Sequence, residues 1–508
     1  MRKILSFILL CIISIHLVES KSLTDTHAGS VYYVDSENGS DANSGLTKKQ
    51  AWKSIDRVND AEFKPGDKIL FKSGCRWTGQ LRPKGSGADG QPICIGNYGR
   101  GPLPYISQGE KSGYVLMLRD QEYWEIRDLE IDGGTSKPNE AVGGIHVQAV
   151  KSSKVLKHIV IENCTVRNNW GSIKLYESCA IWVGIPGWND SIGLKTGFSD
   201  VLIQNNHIYG SDRNGILVWT TAGTGPKSQF IPGLIQSRNV VVRNNNIEDI
   251  GGDAIIILGS NGALVEKNTV RRCCLKTGDP KYGRDYNPSS AAIWLHHCDN
   301  SIMQFNSVYD CKKQEYNNDG MAFDFDFNCK NNILQYNYSY NNEGGFLLIM
   351  QTASDNVARY NISHNDRNHV LFCVGVKNEN NVIHNNTFYI NDGTSFIVPN
   401  ATFANNIFMT GPNSEMSVQN QERGIFKNNC YYGNWKALPD DKSAITENPL
   451  LKNPENSKCH IKHLSAYKLL KNSPCIDKGI EIGNHGFRDI SGKRVPKANG
   501  NDVGAMER

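Results

Sequence analysis

Between residues 159 and 430, short apolar runs are punctuated by asparagine. An apolar residue, three further positions and then Asn, usually with Ile, Val or another apolar residue two places on, recur around Asn163, Asn206, Asn245, Asn268, Asn306, Asn337, Asn361, Asn386, Asn406 and Asn429. Successive spacings are 43, 39, 23, 38, 31, 24, 25, 20 and 23 residues. The shorter ones match one coil of three short strands joined by turns. Such a coil cannot bury its apolar face alone, so the pattern predicts an all-β, single-stranded right-handed parallel β-helix, with stacking supplying both core and strand partners. Asn at one point of every coil is expected to take a left-handed turn conformation and to hydrogen-bond to the Asn of the next coil. The Leu-x-x-Leu-x-Leu signature of a leucine-rich repeat is absent.

The long coils place their extra residues between about 167 and 319. Insertions of this kind project from one face of a solenoid and wall a groove. Both ends read as caps: Lys48 to Asn59, with Ala51-Trp52-Lys53-Ser54-Ile55, predicts an amphipathic helix over the open end, and the repeat dissolves after Cys430. The expected organisation is a signal peptide over 1–20, an N-terminal cap with first coils over 21–110, the solenoid with its groove-forming loops over 111–435, and a C-terminal cap over 436–508. The signal peptide rests on Arg2-Lys3, an apolar run from Ile4 to Val18 and small-residue cleavage positions ending at Ser20, and implies export.

At the end of the groove the period changes to two. In Phe323-Asp324-Phe325-Asp326-Phe327 the phenyls are expected inside and the two carboxylates outside together, an arrangement that serves a cation or chemistry. Net charge is +4, with no basic tail for nucleic acid. Without Cys11 the cysteines number thirteen and show no CxxC spacing, so a disulfide framework and a zinc knuckle are both excluded. A local Cys459–Cys475 bridge is compatible with an oxidising compartment.

The chain resembles the secreted right-handed parallel β-helix enzymes of bacterial polysaccharide utilisation, which include pectate- and chondroitin-type lyases and glycoside hydrolases. The matching marks are Tyr32-Tyr33-Val34-Asp35, Asn38 to Gly45, Pro65-Gly66-Asp67, Ser473-Pro474-Cys475-Ile476-Asp477 and Asp502-Val503-Gly504-Ala505. In the centre they are Ile250-Gly251-Gly252-Asp253, Ala292-Ile293-Trp294, Asp319-Gly320, Phe323 to Asp326 and Glu343-Gly344-Gly345-Phe346. The resemblance implies a carbohydrate-active enzyme, and the scaffold hosts several chemistries.

Coil counting stacks Asp319 beside Glu343, and Gly344-Gly345 is expected to let something approach the backbone closely. The preceding insertion supplies Arg271, Lys281, Tyr282, Arg284 and Tyr286, cations and aromatics suited to binding an acidic sugar. His296 and His297 follow Trp294 in the same coil, and Arg367 and His369 lie one coil beyond Glu343. Two mechanisms fit. In β-elimination on a uronic-acid polysaccharide of glycosaminoglycan or pectin type, Lys281, Arg284 or a histidine acts as base or charge clamp, and Asp324 and Asp326 share a proton or hold a cation such as Ca²⁺. In hydrolysis, Glu343 is the general acid and Asp324 or Asp326 the base or nucleophile. Asp253, Trp294 and Asp319 would bind substrate in either case. The basic and aromatic insertion favours elimination; a non-catalytic glycan-binding solenoid is the third reading. The expected partner is an acidic polysaccharide rather than nucleic acid or a membrane interior, bound by a monomer.

Overall fold

A computed structural model describes residues 29–508, apart from 110, 112, 135–139, 187–194, 221–232, 277–288, 314–317, 393, 457–460, 484 and 497–499. The expected signal peptide lies outside the described residues, as do Lys281, Tyr282, Arg284 and Tyr286. Three parallel sheets of 15, 13 and 11 strands run along the molecule, and within each a strand pairs with its equivalent in the next coil. The chain visits the three sheets in turn, which makes the protein a parallel β-helix.

Register turns the sequence repeat into a core. In the largest sheet one inward row runs Ile69, Ile95, Ile126, Ile161, Ile203, Val242, Val265, Met303, Leu334, Ala358, Ile383, Phe403 and Phe426, each paired with the next. All are buried. Full burial of an aliphatic or phenyl side chain contributes about 1.5–3 kcal/mol, so stacking rather than any single coil holds the fold.

The asparagines form a continuous buried ladder from Asn206 to Asn429. The backbone N–H and side-chain amide of each Asn donate to the Oδ1 of the next, at 2.9–3.0 Å throughout. Two details differ from the sequence reading. The left-handed conformation belongs to the residue before each ladder position, among them Asn205, Lys267, Phe305, Tyr336 and Tyr360. Asn163 is itself one of these turn residues, and Cys164 takes the ladder position, its N–H donating to Asn206 at 2.9 Å.

The ends also differ in detail. Lys48–Gln50 is a 3-10 turn and only Ile55–Asp60 is an α-helix, because Trp52 pairs as a bridge with Val34 at the edge of the first strand. Ile55 and Val58 join the main core. The segment after Cys430 runs back along the outside of the 13-stranded sheet and builds a second core with Tyr336, Tyr338 and Tyr360, sealed by His364 Nδ1 bonding the Tyr467 hydroxyl at 2.7 Å. The described cysteines are free thiols; Cys459 lies outside the described residues, and the Cys475 thiol bonds that of Cys430. No helix among the described residues is long and apolar enough to cross a membrane.

Candidate active site

The site lies on the outer face of the 11-stranded sheet. Residues that face outward at one register there are Met117, His146, Trp182, Leu217, Ile256, Trp294, Asp324, Leu348 and Phe372. Asp324 is the one carboxylate in this apolar and aromatic row. It projects from the strand Met321–Phe325 with Phe323 and Phe325 buried on the opposite side, as the alternation requires. The strand ends at Phe325, so the alternation stops: Phe327 is partly exposed and turns to the same side as Asp326 instead of entering the core.

A cavity of about 300 Å³ opens here, lined by Asp319, Asp324, Asp326, Trp294, Phe327, Tyr176, Ser289, Ser290, Ala291, Leu348 and Met350. Asp319 and Asp326 are partly buried, whereas Asp324 is 5% exposed and its Oδ1 has no hydrogen-bond partner among the described residues. Burial pushes the Asp319 carboxyl up to about 6, against the pull of a Ser289 hydrogen bond and Lys313. Burial raises Asp326 to about 7, opposed by the Phe327 N–H that donates to its Oδ1 at 2.7 Å and reinforced by Asp319 and Asp253. Asp324 is driven well above the carboxylate range by burial and by the charges of Asp326, Asp319 and Asp253. Three carboxyls in one small space cannot all ionise near neutrality, so the cavity holds protons there.

A buried ion pair positions the wall. Asp253 accepts from Trp294 Nε1 and from the Ala291 N–H, both at 2.9 Å, and its Oδ2 lies 3.0 Å from Arg213 Nη1. Arg213 also donates to Ser290 at 2.8 Å and lies over the Tyr176 ring, 4.4 Å from its centroid. Asp253 is fully buried, so it holds Trp294 and the wall in place and does not line the cavity. Arg213 and Tyr176 escaped the sequence reading. One signal for Arg213 existed: the 39-residue coil spacing stacks it on Gly252, where a Cβ would collide with the guanidinium.

The structure separates the other candidates from this cavity. Glu343 is in register with Asp319, but its carboxylate turns to Lys312 Nζ at 2.7 Å and to the Lys313 N–H at 3.3 Å, and these contacts outweigh partial burial and hold it below its ordinary range. A carboxylate held ionised in this way is unsuited to be a general acid. The approach permitted by Gly344 and Gly345 is that of neighbouring coils, since a Cβ at either would strike the backbone of Gly320 or His369. Arg271 belongs to the 13-stranded sheet and pairs with Glu248. Arg367 bonds Asn341 and lies 3.5 Å from Asp392, and His369 bonds Ser395 and stacks on Phe372. His296 and His297 are buried beside the cavity with their Nδ1 atoms 2.6 Å apart. Burial lowers His297 to about 4, and burial with the neighbouring ring takes His296 well below its usual value, so neither is a cation near neutrality. For the expected calcium, the one group among the described residues that brings three His, Cys, Asp or Glu donor atoms within 4.8 Å is Asp35, Glu37 and Cys75, remote in sequence from the cavity's aspartates.

Fold and site define a parallel β-helix with an acid-lined cavity on one outer sheet face. No protein-family model matches the chain. It is similar to a lacto-N-biosidase of Bifidobacterium longum, 27% identical over 512 aligned positions that cover 84% of this chain and 32% of that protein. The chain thus spans about a third of the length of that relative. It is also similar to the crystal structure of the GH136 lacto-N-biosidase of Eubacterium ramulus, with TM-score 0.62 and 27% identity over 71% of this chain and 64% of that one. A complex of XylC with xylose shares the fold, with TM-score 0.54 at 12% identity over 94% and 98% of the two chains.

Proposed function

We propose that this protein is a glycoside hydrolase that cleaves a glycoside of a neutral oligosaccharide such as lacto-N-biose, using Asp319 and Asp326. The observation that carries this reading is the convergence of three carboxyls with raised pKa on one cavity whose described lining contains no Lys, Arg or His. Asp326, held protonated to about pH 7, donates its proton to the departing glycosidic oxygen. Asp319 ionises first of the accessible pair and acts at the anomeric centre or on the attacking water. Asp324, deeper and protonated, keeps negative charge from accumulating beside Asp326. The Trp294 indole, fixed by Asp253, offers an apolar face to the sugar ring. The similarity to two lacto-N-biosidases supports hydrolysis over the elimination favoured by the sequence, whose cations Lys281 and Arg284 lie outside the described residues.

The test is to incubate the protein with p-nitrophenyl lacto-N-bioside and, in parallel, with uronic-acid polysaccharides. Release of nitrophenol, cut at least ~10²-fold in Asp319→Asn and in Asp326→Asn, is the expected result. Growth of unsaturated-uronide absorbance, or full activity in both variants, overturns it.

A further inference from the structure

The same three coils that build the acid-lined cavity build a second one immediately past the ends of their strands, where His297, Asn328 and Thr352 turn the chain in the left-handed conformation. Trp294 of the first coil leads to His297 and Asp299, Asp326 of the second leads to Asn328 and Lys330, and Met350 of the third leads to Thr352 and Ser354. With Gln236, these six residues line a cavity of about 290 Å³. Phe327 faces the first cavity and Asn328 the second, so a single peptide bond separates the two. Asp326 and Lys330 are four residues apart, so these two lining residues lie within about 13 Å of each other, the most that four residues can span.

Every side chain lining the second cavity is polar, and its floor is held in register. Asp299, Lys330 and Ser354 pair by backbone bridges from coil to coil, extending a row that starts at Asn261. Gln236 reaches in from an earlier coil and donates to Asp299 Oδ2 at 2.9 Å. His297, only 4% exposed, is bonded to Asn328 at 2.8 Å, and the Thr352 hydroxyl accepts the Asn328 N–H at 3.0 Å. The two charged groups are opposite in sign, and Lys330 Nζ lies 3.8 Å from Asp355. Such a surface has no net charge with which to select a uronate or a sulfate. It offers hydroxyl, amide, carboxylate and ammonium groups that match the alternating donors and acceptors of a neutral sugar ring. The first cavity, in contrast, has aromatic and aliphatic walls in Trp294, Phe327, Leu348, Met350 and Tyr176, over whose ring Arg213 lies.

We propose that the second cavity is a subsite for a neutral hexose or N-acetylhexosamine on the leaving-group side of the bond that is cut, so that the glycan runs past the strand ends, over the turn at Phe327, and not along the solenoid axis. The proposal rests on the hydrolase reading for the position of that bond, but its binding test does not need turnover. Affinities of p-nitrophenyl lacto-N-bioside and of the tetrasaccharide carrying lactose in place of nitrophenol are measured by calorimetry on Asp326→Asn protein, with and without Asp299→Asn and Lys330→Ala. Thermal melting checks that each variant folds. The tetrasaccharide is expected to bind at least ~10-fold tighter than the nitrophenyl glycoside, an advantage that falls to within ~3-fold when either second-cavity residue is changed, while nitrophenyl glycoside binding stays within ~3-fold. An advantage unchanged in both variants, an equal loss for both ligands, or no binding of either glycan overturns the proposal. If the affinities behave as expected but wild-type protein hydrolyses neither glycan, the subsite stands and the catalytic reading falls.

Discussion

Asp319→Asn is expected to abolish turnover and yet make the protein more stable at neutral pH. The side chain sits where ionisation is opposed, its pKa raised from 3.8 to about 6 chiefly by burial. A carboxyl raised in the folded state stabilises the fold fully below its unfolded pKa, and that contribution is lost as pH rises through the folded value. The difference between 3.8 and about 6 corresponds to about 3 kcal/mol lost by wild type above about pH 6. Asn keeps the shape and a hydrogen-bonding group for Ser289 but never ionises, so it escapes that loss. It also removes a charge that raises Asp324 and Asp326. Urea unfolding of both proteins at pH 4, 5, 6 and 7.5 therefore should show similar stability at pH 4 and an advantage for the variant that grows between pH 4 and 6 and then levels off at about 3 kcal/mol. A variant less stable than wild type at pH 7.5, or a difference that does not change with pH, would refute the assignment of an opposed charge at Asp319.

Three further outcomes are expected. The pH profile of kcat/KM should be bell-shaped with its maximum between about pH 6 and 7, since Asp319 must be ionised and Asp326 protonated; a profile still rising at pH 8 contradicts these roles. Glu343→Gln should keep turnover within ~3-fold of wild type in the nitrophenyl assay, because its carboxylate serves Lys312 and not the cavity; a ~10²-fold loss would restore it to the catalytic set. Asn306→Ala should lower stability to urea by about 2–4 kcal/mol, because it strands the N–H and side-chain amide of Asn268 in the core; a change below about 1 kcal/mol would mean that water replaces the lost acceptor.

The sequence makes the solenoid legible because its regularity is local and repeated. One Asn per coil, with apolar residues at fixed offsets, carries the spacing directly, and the same spacing predicts the Asp319–Glu343 register. At the site, alternation and coil counting pick out Asp319, Asp324 and Asp326, which the structure brings to one cavity. Glu343 fails because register fixes where a residue stands but not which way its side chain turns, and Lys312 decides that. Gly344-Gly345 fails similarly: two glycines announce a close approach without saying by what. The Arg213–Asp253–Trp294 arrangement depends on contacts between side chains as much as 41 residues apart on successive coils. Only coil counting applied to Arg213 and Gly252 together exposes it.

The asparagine ladder also gives the solenoid a chemical direction. Every member passes its donors to the acceptor of the next coil, so each coil added leaves an unmet demand for an oxygen at the growing end. At Asn429 that demand is met by Asp441, whose Oδ2 accepts both the backbone N–H, at 3.0 Å, and the side-chain amide, at 2.9 Å. The Asp441 side chain accepts and has no amide N–H to pass on. Asp441 is therefore a terminator of the series: its second oxygen accepts the N–H groups of Asn428 and Ser443, both at 3.1 Å, so an Asn in its place would set an amide N–H against those donors where the ladder now closes.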